Sequence, residues 1–229
     1  MITKFAVKNY RGFADRIEWD LSHPSSYSFN TFAIKDGIVK NGIIYGPNGS
    51  GKSNLALAVF DIILHLTQKA KNPHQFEAII NALHPNDFVS FEYTFRFGTN
   101  IVDYYYSKSI YGIESEKVVL DGNVVFALDN NNLTIESLEF PMTEENKKQL
   151  ANSSNKVSVL GYLWSVYPFN SDHPLMKMKE FVEGMLLFWN HEERGFAGLD
   201  EGTTFIEEYI IANDLVDDFS DFLKSVSGQ

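Results

Sequence analysis

The sequence predicts an α/β fold with a first lobe over residues 1–140 and a helical region over 141–229. Three observations predict it. A glycine-rich run, "GPNGSGKS", stands between a short apolar run and a stretch of helical period. A strictly alternating segment, "FVSFEYTFRF", opens a series of strand-like runs through residue 140. Beyond it the apolar spacing returns to that of helices.

Taken in order, "ITKFAVKN" reads as a strand, and "RIEWDL" places Ile17, Trp19 and Leu21 on one side of a second. "HPSSYSFNT" is turn-rich, and "GIIY" is a short apolar strand feeding the glycine-rich run. From Lys52 to Leu66, the residues Leu55, Val59, Ile62, Ile63 and Leu66 recur at helical spacing, and "NPHQFEAIINALHP" predicts a shorter helix between prolines. Val89, Phe91, Tyr93, Phe95 and Phe97 share one face of a strand. "IVDYYYSK", "ESEKVVL" and "NVVFAL" continue an antiparallel meander, with Asp121-Gly122 where a tight hairpin turn is needed. Helices are then expected over "TEENKKQLA", "VSVLGYLWSVY", "PLMKMKEFVEGMLLFWN", "TFIEEYIIAN" and "DLVDDFSDFLKSV".

The composition, 44% hydrophobic and 21% charged over 229 residues, is that of a soluble globular protein. No cysteine is present, which excludes disulfides and thiolate metal sites and fits a reducing cytoplasm. "MITKFAVKNYRGF" has no signal-peptide run, and no segment is apolar enough to span a bilayer, so a cytoplasmic location without membrane contact is expected. The net charge of −11 is concentrated after residue 191, where ten acidic side chains face two basic ones. No basic stripe is available for a nucleic-acid backbone, so DNA as a partner is not supported by charge. The acidic tail reads most simply as a solvated helical face. The six histidines are scattered without metal-ligand spacing.

Gly46, Pro47, Asn48, Gly49, Ser50, Gly51, Lys52 and Ser53 match the phosphate-loop pattern GxxxxGKS in full. The glycines let backbone N–H groups converge on phosphate oxygens in conformations that other residues resist. The following helix adds its positive end where the anion sits. Lys52 would meet the β- and γ-phosphates of ATP, and the Ser53 hydroxyl would ligate Mg²⁺.

"GPNGSGKSNL", preceded by "VKNYRGF", resembles the P-loop ATPases of the ABC-type head group, the SMC, RecF and OLD-like branch of AAA family ATPases. The motif-grade match lies in Val7–Phe13 and Gly46–Leu55, which includes Asn54. The resemblance implies a P-loop NTPase, ABC-ATPase-like lobe carrying the meander. It also implies a homodimer that sandwiches ATP between two heads, or release of an effector protein, in DNA repair or anti-phage defence. By the same resemblance Arg11 would contact the nucleotide phosphates; read from the residue alone, it is equally a surface arginine at a strand end. Asn48 would shape the loop or approach the γ-phosphate. Gln68, Gln75 and Gln149 are candidates for the glutamine that organises Mg²⁺ and the attacking water.

Hydrolysis in that group needs a signature loop and an apolar strand ending in Asp-Glu. "GFAGLDEGTTF" supplies Asp200 and Glu201, but "FAG" is poor as a buried strand and no signature-like segment precedes it. The alternative is a capping turn, with Thr203 or Thr204 opening the next helix. The resemblance places the missing parts in a C-terminal half following these helices. Two other readings stay open: a self-sufficient small NTPase or kinase, which would need Asp200 and Glu201, and a nucleotide-sensing scaffold that docks a partner on its acidic helices.

Overall fold

The structure is a computed structural model, described over residues 1–25, 29, 31–67, 78–137, 139–153, 157–188, 196–198 and 210–227. Its main element is a seven-stranded sheet built from β1 (Ile2–Lys8), β2 (Ile17–Asp20), β5 (Val89–Phe97), β6 (Asn100–Ser109), β7 (Gly112–Leu120), β8 (Asn123–Asp129) and β9 (Asn132–Ile135), in the order β2-β1-β5-β6-β7-β8-β9. Every neighbouring pair in it is antiparallel. Small strands β3 (Ile34–Lys35) and β4 (Ile38–Val39) pair with each other, as do β10 (Leu186–Phe188) and β11 (Phe196–Gly198).

This corrects the expected P-loop NTPase lobe. The described residues build a large antiparallel sheet with a few helices, and they contain no parallel strand pair. The meander, expected as an addition to a lobe, is itself the body of the fold. β1 joins its free edge at β5, with Phe5 opposite Tyr93 and Val7 opposite Phe91. "GIIY" does not form a strand: Ile43 and Tyr45 are 91% and 90% exposed, with no strand beside them. An apolar run becomes a strand only where a neighbour takes its backbone hydrogen bonds, and none among the described residues does so here.

One face of the sheet is packed. Alternation turns Val89, Phe91, Tyr93 and Phe95 of β5 inward, with Val102, Tyr104 and Tyr106 of β6 beside them. The helices α1 (Lys52–Thr67), α3 (Val159–Val166) and α4 (Pro174–Glu183) cover this face and add Ala58, Ile62, Ile63, Val159, Leu160, Leu163, Leu175, Met178 and Val182 to one core. α2 (Glu144–Ser153) packs at β9, the edge far from β1. Gly161 lets α3 approach α1 closely, since a Cβ there would lie 3.0 Å from the Leu66 carbonyl oxygen. The other face is polar and carries ion pairs from Arg16 to Glu18 and Glu92.

Two further expectations change. The described part of "NPHQFEAIINALHP", residues 78–85, is a series of turns. The long helix from Pro174 stops at Glu183, where the Gly184 N–H bonds back to the Glu180 carbonyl, and Leu186–Phe188 becomes β10. There Leu186–Phe188 pairs antiparallel with "FAG", which forms the short strand β11. The tail helix over "DLVDDFSDFLKSV" forms as α5 (Val216–Ser227), with acidic Asp217 and Asp218 in its first turn. No described helix is long and apolar enough to cross a membrane.

Candidate phosphate-binding site

The loop runs from Gly46 into the first turn of α1, and its conformation follows from its glycines. Gly49 and Gly51 have φ of +81° and +95°, the left-handed region that glycine alone enters freely. Within the loop the Ser50 N–H bonds to the Pro47 carbonyl, and the Leu55 N–H starts the helix on the Gly51 carbonyl. The N–H groups of Gly49, Gly51, Lys52 and Ser53 have no partner among the described residues. They belong to the run of donors that a helix N-terminus leaves open, at the positive end of the α1 dipole.

Lys52 closes this loop over its own backbone. Its Nζ donates to the Gly46 and Pro47 carbonyl oxygens, both at 2.8 Å. An ammonium carries three donors, so one remains for an anion seated in the loop. Ser53 is exposed at the start of the helix, with its hydroxyl open to a cation held by that anion.

A second segment is folded against the loop. After β1 the chain makes a tight turn in which Tyr10 and Phe13 exchange backbone hydrogen bonds at 2.9 and 2.8 Å. Arg11, not Gly12, takes the left-handed conformation, at φ +46°. A side chain held there is strained, and such strain gathers at working sites. The turn is pinned from outside: the Arg11 N–H bonds to the Ile79 carbonyl, and the Asn81 side-chain amide donates to the Arg11 carbonyl. Its tip touches the phosphate loop, because a Cβ on Gly51 would fall 2.7 Å from the Phe13 ring. A Cβ on Gly12 would fall 3.4 Å from the Asn54 side-chain nitrogen. Residues forty positions apart thus form one surface. On it the Arg11 Nε is buried without a hydrogen-bond partner among the described residues.

The other candidates separate from this surface. Gln149 is exposed on α2, at the far edge of the sheet. Asp200, Glu201, Gln68, Gln75, Thr203 and Thr204 lie outside the described residues. Among the described residues, no group of three or more histidine, aspartate or glutamate side chains is gathered to hold a metal ion.

Sequence reasoning missed a buried polar cluster beneath the second half of α1. Asp61 takes an ion pair from Lys108 at 2.5 Å and a hydrogen bond from the Tyr106 hydroxyl at 2.8 Å. The His65 ring stacks on Tyr106 at 3.9 Å, and its Nε2 lies 2.7 Å from the Tyr104 hydroxyl. Tyr104 donates to Glu116, which also accepts from Ser158 Oγ and from the Val159 and Leu160 N–H groups. Burial, with Lys108 nearby, pushes the His65 pKa well down. Burial pushes the Glu116 carboxyl up, against the pull of its four donors. The signal was present in the periodicity. Asp61 and His65 sit at i and i+4 among apolar α1 residues, and alternation from Tyr104 and Tyr106 carries Lys108 inward.

No protein-family model matches this sequence, and no curated protein matches it. The chemistry of the site is therefore argued from its geometry and its motif.

Proposed function

We propose that this chain binds MgATP through Gly46–Ser53. Its nucleotide state would control the pairing of two copies or the engagement of an effector protein, as in ATPases of the SMC, RecF and OLD type. In this reading the backbone N–H groups and Lys52 hold the β- and γ-phosphates, Ser53 ligates the Mg²⁺ that travels with them, and Arg11 approaches from its turn. Asn54 lies beside that turn, its side-chain nitrogen near Gly12. The work would be done in the cytoplasm, in genome repair or defence against phage.

One observation carries the reading. The three nearest atoms that a Cβ on Gly51 would meet all belong to Phe13 of the Arg11 turn, so the two motif-bearing segments meet although they are far apart in sequence. A phosphate-loop pattern arising by chance has no reason to recruit a strained arginine.

The test is equilibrium binding of MgATP to the chain, followed by turnover. Binding is expected in the micromolar range or tighter, about −8 kcal/mol, and should vanish in Lys52→Ala. Failure of the wild-type chain to bind, or equal binding by Lys52→Ala, overturns the reading. Turnover abolished by Glu201→Gln would favour a self-sufficient NTPase. Binding without turnover would favour a nucleotide-controlled binding protein.

A further inference from the structure

The buried cluster links the helix that starts at the phosphate loop to a second helix by hydrogen bonds of fixed direction. A tyrosine hydroxyl has one proton, and Tyr104 gives it to Glu116 Oε1 at 2.8 Å. The 2.7 Å contact from His65 must then be an Nε2–H donating to Tyr104. Glu116 in turn collects the first turn of α3: Ser158 Oγ at 2.8 Å, Val159 N–H at 2.7 Å and Leu160 N–H at 3.0 Å. Of the four donors converging on Glu116, three meet Oε1 and one meets Oε2, so every bond in the chain points toward this carboxyl group. The path α1, β6, β7, α3 is therefore a single polarised chain.

Its first member rides on α1 one turn beyond Asp61, which ties the same helix to Tyr106 and Lys108. The His65 ring lies flat on Tyr106, at an interplanar angle of 4°, and its Nδ1 has no partner among the described residues. A parallel stack resists sliding in its own plane far less than a short hydrogen bond resists stretching. An axial load on α1 is thus divided between the Asp61 bonds and the His65–Tyr104 bond, and the second part pulls on Tyr104. A phosphate seated on the open N–H groups at the other end of α1 acts along that same axis.

We propose that His65, Tyr104 and Glu116 are positioning residues that carry occupancy of the phosphate loop to the N-terminal turn of α3. The proposal rests on the loop's binding a nucleotide. Its chemistry is a change in the hold of Glu116 on Ser158, Val159 and Leu160, with no covalent step.

The experiment is hydrogen–deuterium exchange of the 1–229 chain with and without saturating MgATP, alongside its ATP affinity. In the wild type, exchange at residues 159–163 should change by about fivefold or more on binding, the lower range of ordinary coupling between sites. Tyr104→Phe keeps the ring and deletes the hydroxyl. It should reduce that change to less than about twofold while leaving affinity within about threefold. His65→Leu, which keeps α1 helical and apolar, should do the same should Tyr104→Phe not fold. A purely structural role would lower the melting temperature and leave the ATP-dependent difference intact. Binding with no response at α3 overturns the coupling alone. A response that survives both variants also overturns it, and would assign transmission to the Gly161–Leu66 packing. Failure to bind ATP overturns the nucleotide reading itself.

Discussion

The two ends of α1 solve opposite problems with the same residue type. At its start, Lys52 is half-buried, holds two loop carbonyls and keeps a donor in reserve, among N–H groups without partners. Past its middle, Asp61 faces Lys108 of β6, which is 2% exposed, ion-paired at 2.5 Å and set 5.2 Å from the centre of the Tyr106 ring. The first lysine is arranged to meet something, and the second is already met. Charge left open at an accessible loop is available to a ligand, whereas charge closed inside a core fixes one arrangement of helix on sheet. α1 can present its N-terminus only because its other half is fastened. The Tyr93 hydroxyl adds to this by donating to the Ala58 and Val59 carbonyls.

The sharpest way to break the comparison is to remove each lysine. Lys108→Met keeps the aliphatic stem and leaves Asp61 buried without its cation. The expected loss is about 3–5 kcal/mol, the cost of stranding one member of a buried pair. Adding Asp61→Asn should return part of it, because the uncompensated charge is then gone. Lys52→Ala should shift stability by less than about 0.5 kcal/mol, as for a surface change that strands no charge. Urea unfolding of the three variants reads all of this, and equal losses for the two lysines would end the distinction.

Legibility in the sequence divides along the same line. The phosphate-loop pattern stands out because it is local: eight consecutive residues carry the glycines, lysine and serine of GxxxxGKS. The β-strands were legible because Val89 to Phe97 and their successors alternate cleanly. What the sequence hid was non-local. "GIIY" has the composition of a strand, yet strand formation depends on a neighbour that no local pattern reveals. That the first strand joins the meander depends on β1 pairing with β5, more than eighty residues away. Asp61 and Lys108 fall on the apolar faces of α1 and β6 by spacing, but that they pair with each other is visible only in the tertiary contact. Arg11 lay between the two cases. Its place at the end of the first strand was visible, but its tight turn and the contact with Gly51 through Phe13 were not.

A smaller effect separates two glycines inside the open end. Gly51→Ala meets both a left-handed backbone and the Phe13 ring at 2.7 Å, for an expected cost of about 2–4 kcal/mol. Gly49→Ala meets only the backbone, since nothing lies within 4 Å of its added carbon. Strain of about 1–2 kcal/mol is partly offset by the stiffer unfolded chain, leaving about 1 kcal/mol or less. Both should weaken ATP binding, but only Gly51→Ala should also lower the melting temperature by several degrees. Gly51→Ala paired with Phe13→Ala should recover the packing share and not the strain.

The smallest effect is a slope, and it tests whether the histidine of the closed end stays neutral as its burial requires. His65 is neutral in the folded chain, with its pKa held below the ordinary 6.5, so the unfolded chain binds the extra proton. Its contribution is fully present above pH 6.5 and is lost as pH falls below that value. Glu116 has the opposite sign. Its pKa is raised above the ordinary 4.5, so its contribution is fully present below pH 4.5 and declines as pH rises through the folded value. Between these limits the two oppose each other, and the wild-type profile alone cannot separate them. His65→Leu removes one side of the opposition. The difference in unfolding free energy, variant minus wild type, should therefore rise as pH falls from 6.5, by up to about 1.4 kcal/mol per pH unit for one proton. Urea titrations at pH 7.5, 6.5, 5.5 and 4.5 measure it. Parallel curves would mean that His65 finds a proton acceptor at Nδ1 when it is charged, and that the core beneath α1 is as open to charge as the loop at its start.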